Sequence, residues 1–116
     1  MSAEKEGEKL LRKERVKKRE DFVRLFHEGF RYHSKQYSLI VGRNNLDYVR
    51  LAVSIKKSVG NAAVRNYEKR ICREIFRKQK GIFKRGFDVL IIIKQPTGKY
   101  QKSRITLEGL FARALY

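Results

Sequence analysis

The sequence predicts one α/β domain built on a mixed sheet of about four strands, with elements in the order α-β-β-β-α-β-α. Three patterns lead there. Two short stretches, Tyr37-Ser38-Leu39-Ile40-Val41 and Val49-Arg50-Leu51-Ala52-Val53-Ser54-Ile55, are apolar at every odd position, which is the period of half-buried strands. The longest helical pattern follows them. Behind it, Phe87-Asp88-Val89-Leu90-Ile91-Ile92-Ile93 is a run suited to a strand covered on both faces. A strand, a long helix and a second strand make a βαβ unit, which requires parallel pairing. The 116 residues suffice for one domain, spanning 1–116, and leave no room for a separate catalytic module.

Each element has its own signal. Residues 1–19 (MSAEKEGEKLLRKERVKKR) carry many charges and few large apolar side chains, so a frayed or partly helical arm is expected. From Glu20 to Glu28, Phe22, Val23, Leu25 and Phe26 cluster at helical spacing and Gly29 supplies a stop, predicting a short amphipathic helix. Phe30 to His33 adds a short strand. The turn-rich Gly42-Arg43-Asn44-Asn45-Leu46-Asp47 predicts that the two alternating runs pair as a hairpin. Asn61 is placed to cap the long helix and Gly81 to end it, after Lys78 and Lys80 in its last turn. The loop Lys94–Tyr100 surrounds the only proline, and Ser103 is read as the cap of a last helix whose core face is Leu107, Leu110, Phe111, Ala114 and Leu115.

Charge then narrows the function. Lys and Arg number 29 against 12 Asp and Glu, a net charge of +17, which points to a polyanionic partner. A hydrophobic content of 41% with seven Phe and six Tyr is enough for a packed core and excludes a purely disordered basic tail. The single Cys72 rules out an internal disulfide, and with only His27 and His33 as further soft ligands there is no zinc finger. The longest apolar run, Val89 to Ile93, falls far short of the roughly 18 residues of a bilayer span. The N-terminus also lacks the apolar core of a signal peptide, so a cytoplasmic protein with no membrane partner is expected.

Protein-borne catalysis is not expected either. Beyond the first helix the only carboxylates are Asp47, Glu68, Glu74, Asp88 and Glu108; Glu68 and Glu74 lie about 120° apart on a helix, so they make no magnesium pair. His27 and His33 have no evident third group to orient them. Gly60-Asn61-Ala62-Ala63 lacks the Lys-Ser/Thr ending of a phosphate-binding loop.

The long helix offers a basic face instead. With Arg65 at zero, Lys69, Arg73, Asn66, Arg77 and Arg70 fall between about 40° and 140°, while Tyr67, Ile71, Val64 and Ile75 fall between about 200° and 280°. Between Arg65 and Arg85 there are nine basic and two acidic residues, 9 − 2 = +7. A solvated helix usually interleaves opposite charges, whereas guanidinium forks suit phosphate oxygens and Asn can address a base edge. Lys56 and Lys57, just before the helix, extend the basic surface. Phe22 and Phe26, four residues apart, share a face that is either core or a stacking platform for unpaired bases; spacing alone favours core.

The run Lys56-Lys57-Ser58-Val59-Gly60-Asn61-Ala62-Ala63-Val64-Arg65-Asn66-Tyr67-Glu68-Lys69-Arg70, followed by Arg73-Glu74-Ile75-Phe76-Arg77, closely resembles the signature helix of the bacterial ribonuclease P protein subunit. Asp21-Phe22-Val23-Arg24-Leu25-Phe26-His27-Glu28-Gly29 is similar to that family's first helix. The resemblance runs from about Arg15 to the last helix. It departs in two places: Tyr67 stands where the family pattern Arg-Asn-Arg has its third Arg, and Ile40 stands where some relatives carry an aromatic on the open sheet face. The helical angle places Tyr67 towards the core edge, which leaves Arg65, Asn66, Lys69 and Arg70 as the contacts.

The resemblance implies an α+β two-layer sandwich with a central sheet and a left-handed βαβ crossover, against the general right-handed rule. It also implies a ribonucleoprotein endonuclease whose RNA subunit, using Mg²⁺, removes the 5′ leader of precursor tRNA; the protein binds no metal alone and enters the holoenzyme as a monomer. Carried over residue by residue, Arg65, Asn66, Lys69, Arg70, Arg73, Lys56 and Lys57 would contact RNA. Phe22, Phe26, Ile40 and Lys57 would line a cleft for the single-stranded leader, bounded by the first helix, the sheet and the signature helix. The main alternative is a ribosomal-type structural RNA-binding protein with no part in cleavage. A protein-only nuclease and a membrane-surface role follow well behind.

Overall fold

The most apolar strand takes a central place in the sheet. In the computed structural model, which describes residues 12–79, 81, 83 and 86–114, the strands are β1 (Phe30–His33), β2 (Tyr37–Arg43), β3 (Arg50–Ile55) and β4 (Phe87–Ile93), and the helices are α1 (Arg19–Glu28), α2 (Ala62–Gln79) and α3 (Tyr100–Ala114). The sheet order is β1-β2-β4-β3. β1 and β4 both run antiparallel to β2, and β3 runs parallel to β4 in the register Leu51↔Val89, Ile55↔Ile93. The parallel pairing is the one that the βαβ pattern predicts.

The expected hairpin between the two alternating runs is not formed, because β4 lies between them. Two effects account for this. β4 is buried on both faces along most of its length, so the central place removes more apolar surface from water than an edge would. The turn-rich segment meanwhile serves as a clasp. Asn44 N–H donates to the Gly86 carbonyl (2.8 Å), Gly86 N–H to the Tyr48 carbonyl (3.3 Å), and the Asn44 side chain accepts from Leu46 N–H (2.8 Å). Gly86 has φ +86°, and a Cβ there would sit 3.0 Å from the Leu46 carbonyl oxygen, which is why glycine occupies this point of closure.

Side-chain alternation divides the core. Tyr37, Leu39, Val41, Leu51, Val89, Ile91 and Ile93 face α2 and α3, meeting Ile71, Cys72, Ile75 and Phe76 from α2 and Leu107, Leu110 and Phe111 from α3. Phe83 completes a ring cluster with Phe76 and Phe111, at centroid distances of 5.1 to 6.3 Å. The opposite face carries a smaller cluster of Val16, Leu25, Ile40, Ala52 and Leu90. α1 and α2 therefore lie on opposite faces of the sheet.

Two further expectations are refined. The arm 1–19, read as frayed or partly helical, holds a 3-10 turn at Arg12–Glu14 and also packs: Arg15 bridges to Leu51, Val16 N–H donates to the Leu51 carbonyl (2.9 Å) and Val16 is buried. Val16, the Arg15 bridge and the Lys13 ammonium, 4.6 Å from the Tyr48 ring centroid, dock that part; residues 1–11 lie outside the described residues. Ser103 does not cap α3, which begins at Tyr100; it is buried within the helix, accepting a hydrogen bond from Tyr37 Oη (2.9 Å) and pairing with Thr97 Oγ1. Asn61 does cap α2, its side chain accepting from Val64 N–H at 3.0 Å. The Gly81 stop cannot be followed through Lys80, which lies outside the described residues, as does Leu115.

Burial also silences the one thiol. Desolvation pushes Cys72 up to about 12 from an ordinary value of 9.0, and it raises Tyr37 above the usual tyrosine range. Between pH 9 and 12 the folded chain retains a thiol proton that the unfolded chain has lost, so stability is full below that window and falls as pH rises through it. Thiol reagents are expected to label Cys72 only on unfolding. Denaturation midpoints should drop above pH 9, less steeply in Cys72→Ala. Rapid labelling of the native protein would show instead that α2 opens locally.

Candidate nucleic-acid interface

α2 carries its charge in two distinct ways. Its buried arc is Glu68, Ile71, Cys72, Ile75 and Phe76, centred near 300° on the wheel that sets Arg65 at zero. Glu68, 1% exposed, is not available for chemistry: its carboxylate accepts the backbone N–H groups of Thr97 and Gly98, both at 3.1 Å, and fastens the β4–α3 loop to the helix. Near the C-terminus, Glu74 lies 3.6 Å from Arg77 and 3.7 Å from Lys78. Lys69, Arg70 and Arg73, between these two acids, have no carboxylate partner among the described residues. A row of cations without carboxylate partners is chemically suited to phosphate oxygens.

The predicted contacts fall around this row. Asn66 and Arg70 are exposed, and Lys69 and Arg73 are half-buried. Arg65 is partly engaged, donating to the Gly60 carbonyl at 2.6 Å, so one arm of its fork steadies the entry to the helix. Lys56 and Lys57 are exposed at the end of β3 and in the 3-10 turn Lys57–Val59. Tyr67 corrects the helical-angle estimate: it is 43% exposed rather than at the core edge, because the buried arc is centred about 100° away. Its ring is presented beside the cations.

The aromatic pair on α1 is divided between packing and solvent. Phe22 is half-buried against the smaller cluster with Ile92, whereas Phe26 is 47% exposed with the Arg31 guanidinium 5.4 Å from its ring centroid. Spacing alone favours core for both, and the structure grants that only to Phe22. Ile40 is a correction: it is fully buried with Leu25 and Leu90 and offers no surface to a ligand. The open part of this face is Ile92 and Ser54, paired in register, with Lys56 continuing the extended backbone beyond β3. The candidate leader groove is therefore the exposed sheet surface beside α1, and α2 packs on the far face.

Two features escape the sequence reading. Lys94 follows Ile93, whose register partner is Ile55, so it stands at the same sheet end as Lys56; strand register is the missing signal. Arg50 and Asp88, read as an outward Arg and a leftover carboxylate, anchor a buried ionic cluster. Fully buried Asp88 accepts from Arg50 Nε (2.8 Å) and Nη2 (2.7 Å), Arg24 Nη2 (2.9 Å) and Asn44 Nδ2 (2.8 Å). Asp21 on α1 joins it through Arg24 (3.1 Å) and Arg50 (3.4 Å). Hydrogen bonding and charge from Asp88 hold Arg50 protonated beyond its ordinary range.

Comparison with known proteins identifies the family. Residues 10–114 match the family model described as Ribonuclease P. The ribonuclease P protein component of Thermotoga petrophila is 41% identical over 85 residues, covering 73% of each chain. That of Syntrophus aciditrophicus is 35% identical over 99 residues, covering 85% of this chain and 83% of its own. The solved Staphylococcus aureus RNase P protein superimposes with a TM-score of 0.80 at 31% identity, covering 87% of this chain and 94% of that one.

Proposed function

This chain belongs to the ribonuclease P protein family, and from that membership we propose that it is the protein subunit of a cytoplasmic ribonucleoprotein that removes the 5′ leader of precursor tRNA, the RNA subunit performing the hydrolysis. The carrying observation is the row Lys69, Arg70 and Arg73, uncompensated among the described residues. RNA phosphates would release counterions on meeting it. Arg65, Asn66, Lys56 and Lys57 extend that contact, and the exposed Tyr67 ring adds a stacking surface where the family pattern has a third Arg. One copy of the chain would serve each RNA.

Phe22 and Phe26 present aromatic surface to the groove over Ile92 and Ser54, where single-stranded leader bases would stack, with Lys57 near its end. Magnesium would belong to the RNA centre. The carboxylates that the fold gathers, Asp21 and Asp88, are bridged by Arg24 and Arg50, which suits them to guanidinium and not to a free cation.

Mixing the purified protein with a bacterial ribonuclease P RNA at low magnesium is expected to give 5′-leader cleavage that neither component gives under those conditions. Tight RNA binding without cleavage, repeated with a matched RNA, would assign a structural RNA-binding role instead. Within the assembled enzyme, Phe22→Ala with Phe26→Ala should weaken precursor tRNA more than mature tRNA. Base stacking contributes about 1–3 kcal/mol per base, so equal losses on both substrates would reject the leader role.

A further inference from the structure

We infer that Asp21 and Arg24 are positioning residues for leader recognition, fixing the roll of α1 so that its Phe22–Phe26 flank is set at a defined height over the sheet. This rests on the leader-groove reading above. On β4, Asp88, Leu90 and Ile92 point to one face, towards the side chains of α1. Arg24 reaches Asp88 at 2.9 Å, Leu25 packs in the cluster that holds Leu90, and Phe22 packs against that cluster together with Ile92.

On the helix, Asp21 and Leu25 face the sheet, with the two Phe on one flank and Arg24 on the other. Leu25, 1% exposed, is the pivot. An apolar pivot resists lifting but not rotation, since hydrophobic contact is non-directional. Charge-assisted hydrogen bonds are directional and fixed in length. The Arg24–Asp88, Arg24–Asp21 and Arg50–Asp21 contacts therefore determine the roll, and Arg50 and Asp88 belong to the sheet. Arg24 Nε is also buried without a partner, a cost that helix packing alone would not require.

The test uses the enzyme assembled on ribonuclease P RNA, with Asp21→Asn and Arg24→Gln as separate variants. Both leave the Arg50–Asp88 pair intact, and circular dichroism would verify the fold. Each is expected to reduce the preference for leader-bearing over leaderless tRNA by roughly fivefold, with unchanged affinity for the RNA subunit and partial recovery in Arg24→Lys. Phe22→Ala with Phe26→Ala is measured in parallel. If that pair lowers leader preference and the two charge variants do not, the positioning role is overturned and the leader groove stands. If the aromatic pair has no effect either, the leader reading fails and the positioning role with it. Equal weakening of both tRNAs and of RNA-subunit binding would mark a merely structural contact and overturn the inference.

Discussion

Replacing Lys69, Arg70 and Arg73 together with Ala is expected to weaken binding to ribonuclease P RNA on the order of 100-fold at moderate salt. Taking about 1 kcal/mol net for each solvated contact, the three sum to about 3 kcal/mol, and each 1.4 kcal/mol is tenfold. The salt dependence is the sharper test. Each lost phosphate contact should lower the slope of log affinity against log salt by roughly 0.7 to 0.9, so the triple variant should lose about two units or more. None of the three has a carboxylate partner among the described residues, so their removal strands no acid and should leave the fold unchanged. A triple variant with the parent affinity and slope at several salt concentrations would place the RNA surface elsewhere on the molecule.

The second large effect concerns stability. Asp88→Ala is expected to cost about 3–5 kcal/mol, because it removes the fully buried common acceptor of two guanidinium groups and leaves them only Asp21 as a carboxylate partner among the described residues. A domain of this size holds roughly 5–15 kcal/mol in total, so the variant should lose a large share of its stability. Arg24 is the more exposed of the two bases, with its side chain at 30% against 14% for Arg50, so Arg50→Ala should be the more damaging of the two base deletions. Urea denaturation followed by circular dichroism measures both. A loss below about 1 kcal/mol for Asp88→Ala would mean that the cluster is screened like a surface pair.

These two predictions differ in how far the sequence anticipated them. The cations of α2 were readable because helical periodicity is local: residues three and four apart share a face whatever the helix packs against. The ionic cluster was not readable, since Asp21, Asn44, Arg50 and Asp88 lie on four separate segments and only the sheet order brings them together. Tyr67 falls between these cases. Its angle was correct, but where the buried arc is centred depends on which neighbours cover the helix. Ile40 shows the same limit in a strand, where alternation assigns a face but not whether another helix covers that face.

By itself the sequence determined the strands, the three helices, the Asn61 cap, the parallel βαβ pairing and the basic face of α2. All of these rest on patterns within a few residues or on the order of neighbouring elements. The tertiary structure alone decided that β4 enters between β2 and β3, that Val16 docks on the sheet, that Phe26 is exposed while Phe22 packs, and that Glu68 and Asp88 are structural acceptors. The physical reason is that strand order, cluster membership and burial follow from a free energy minimised over the whole chain at once, which covers the most apolar strand and satisfies the buried carboxylates Glu68 and Asp88.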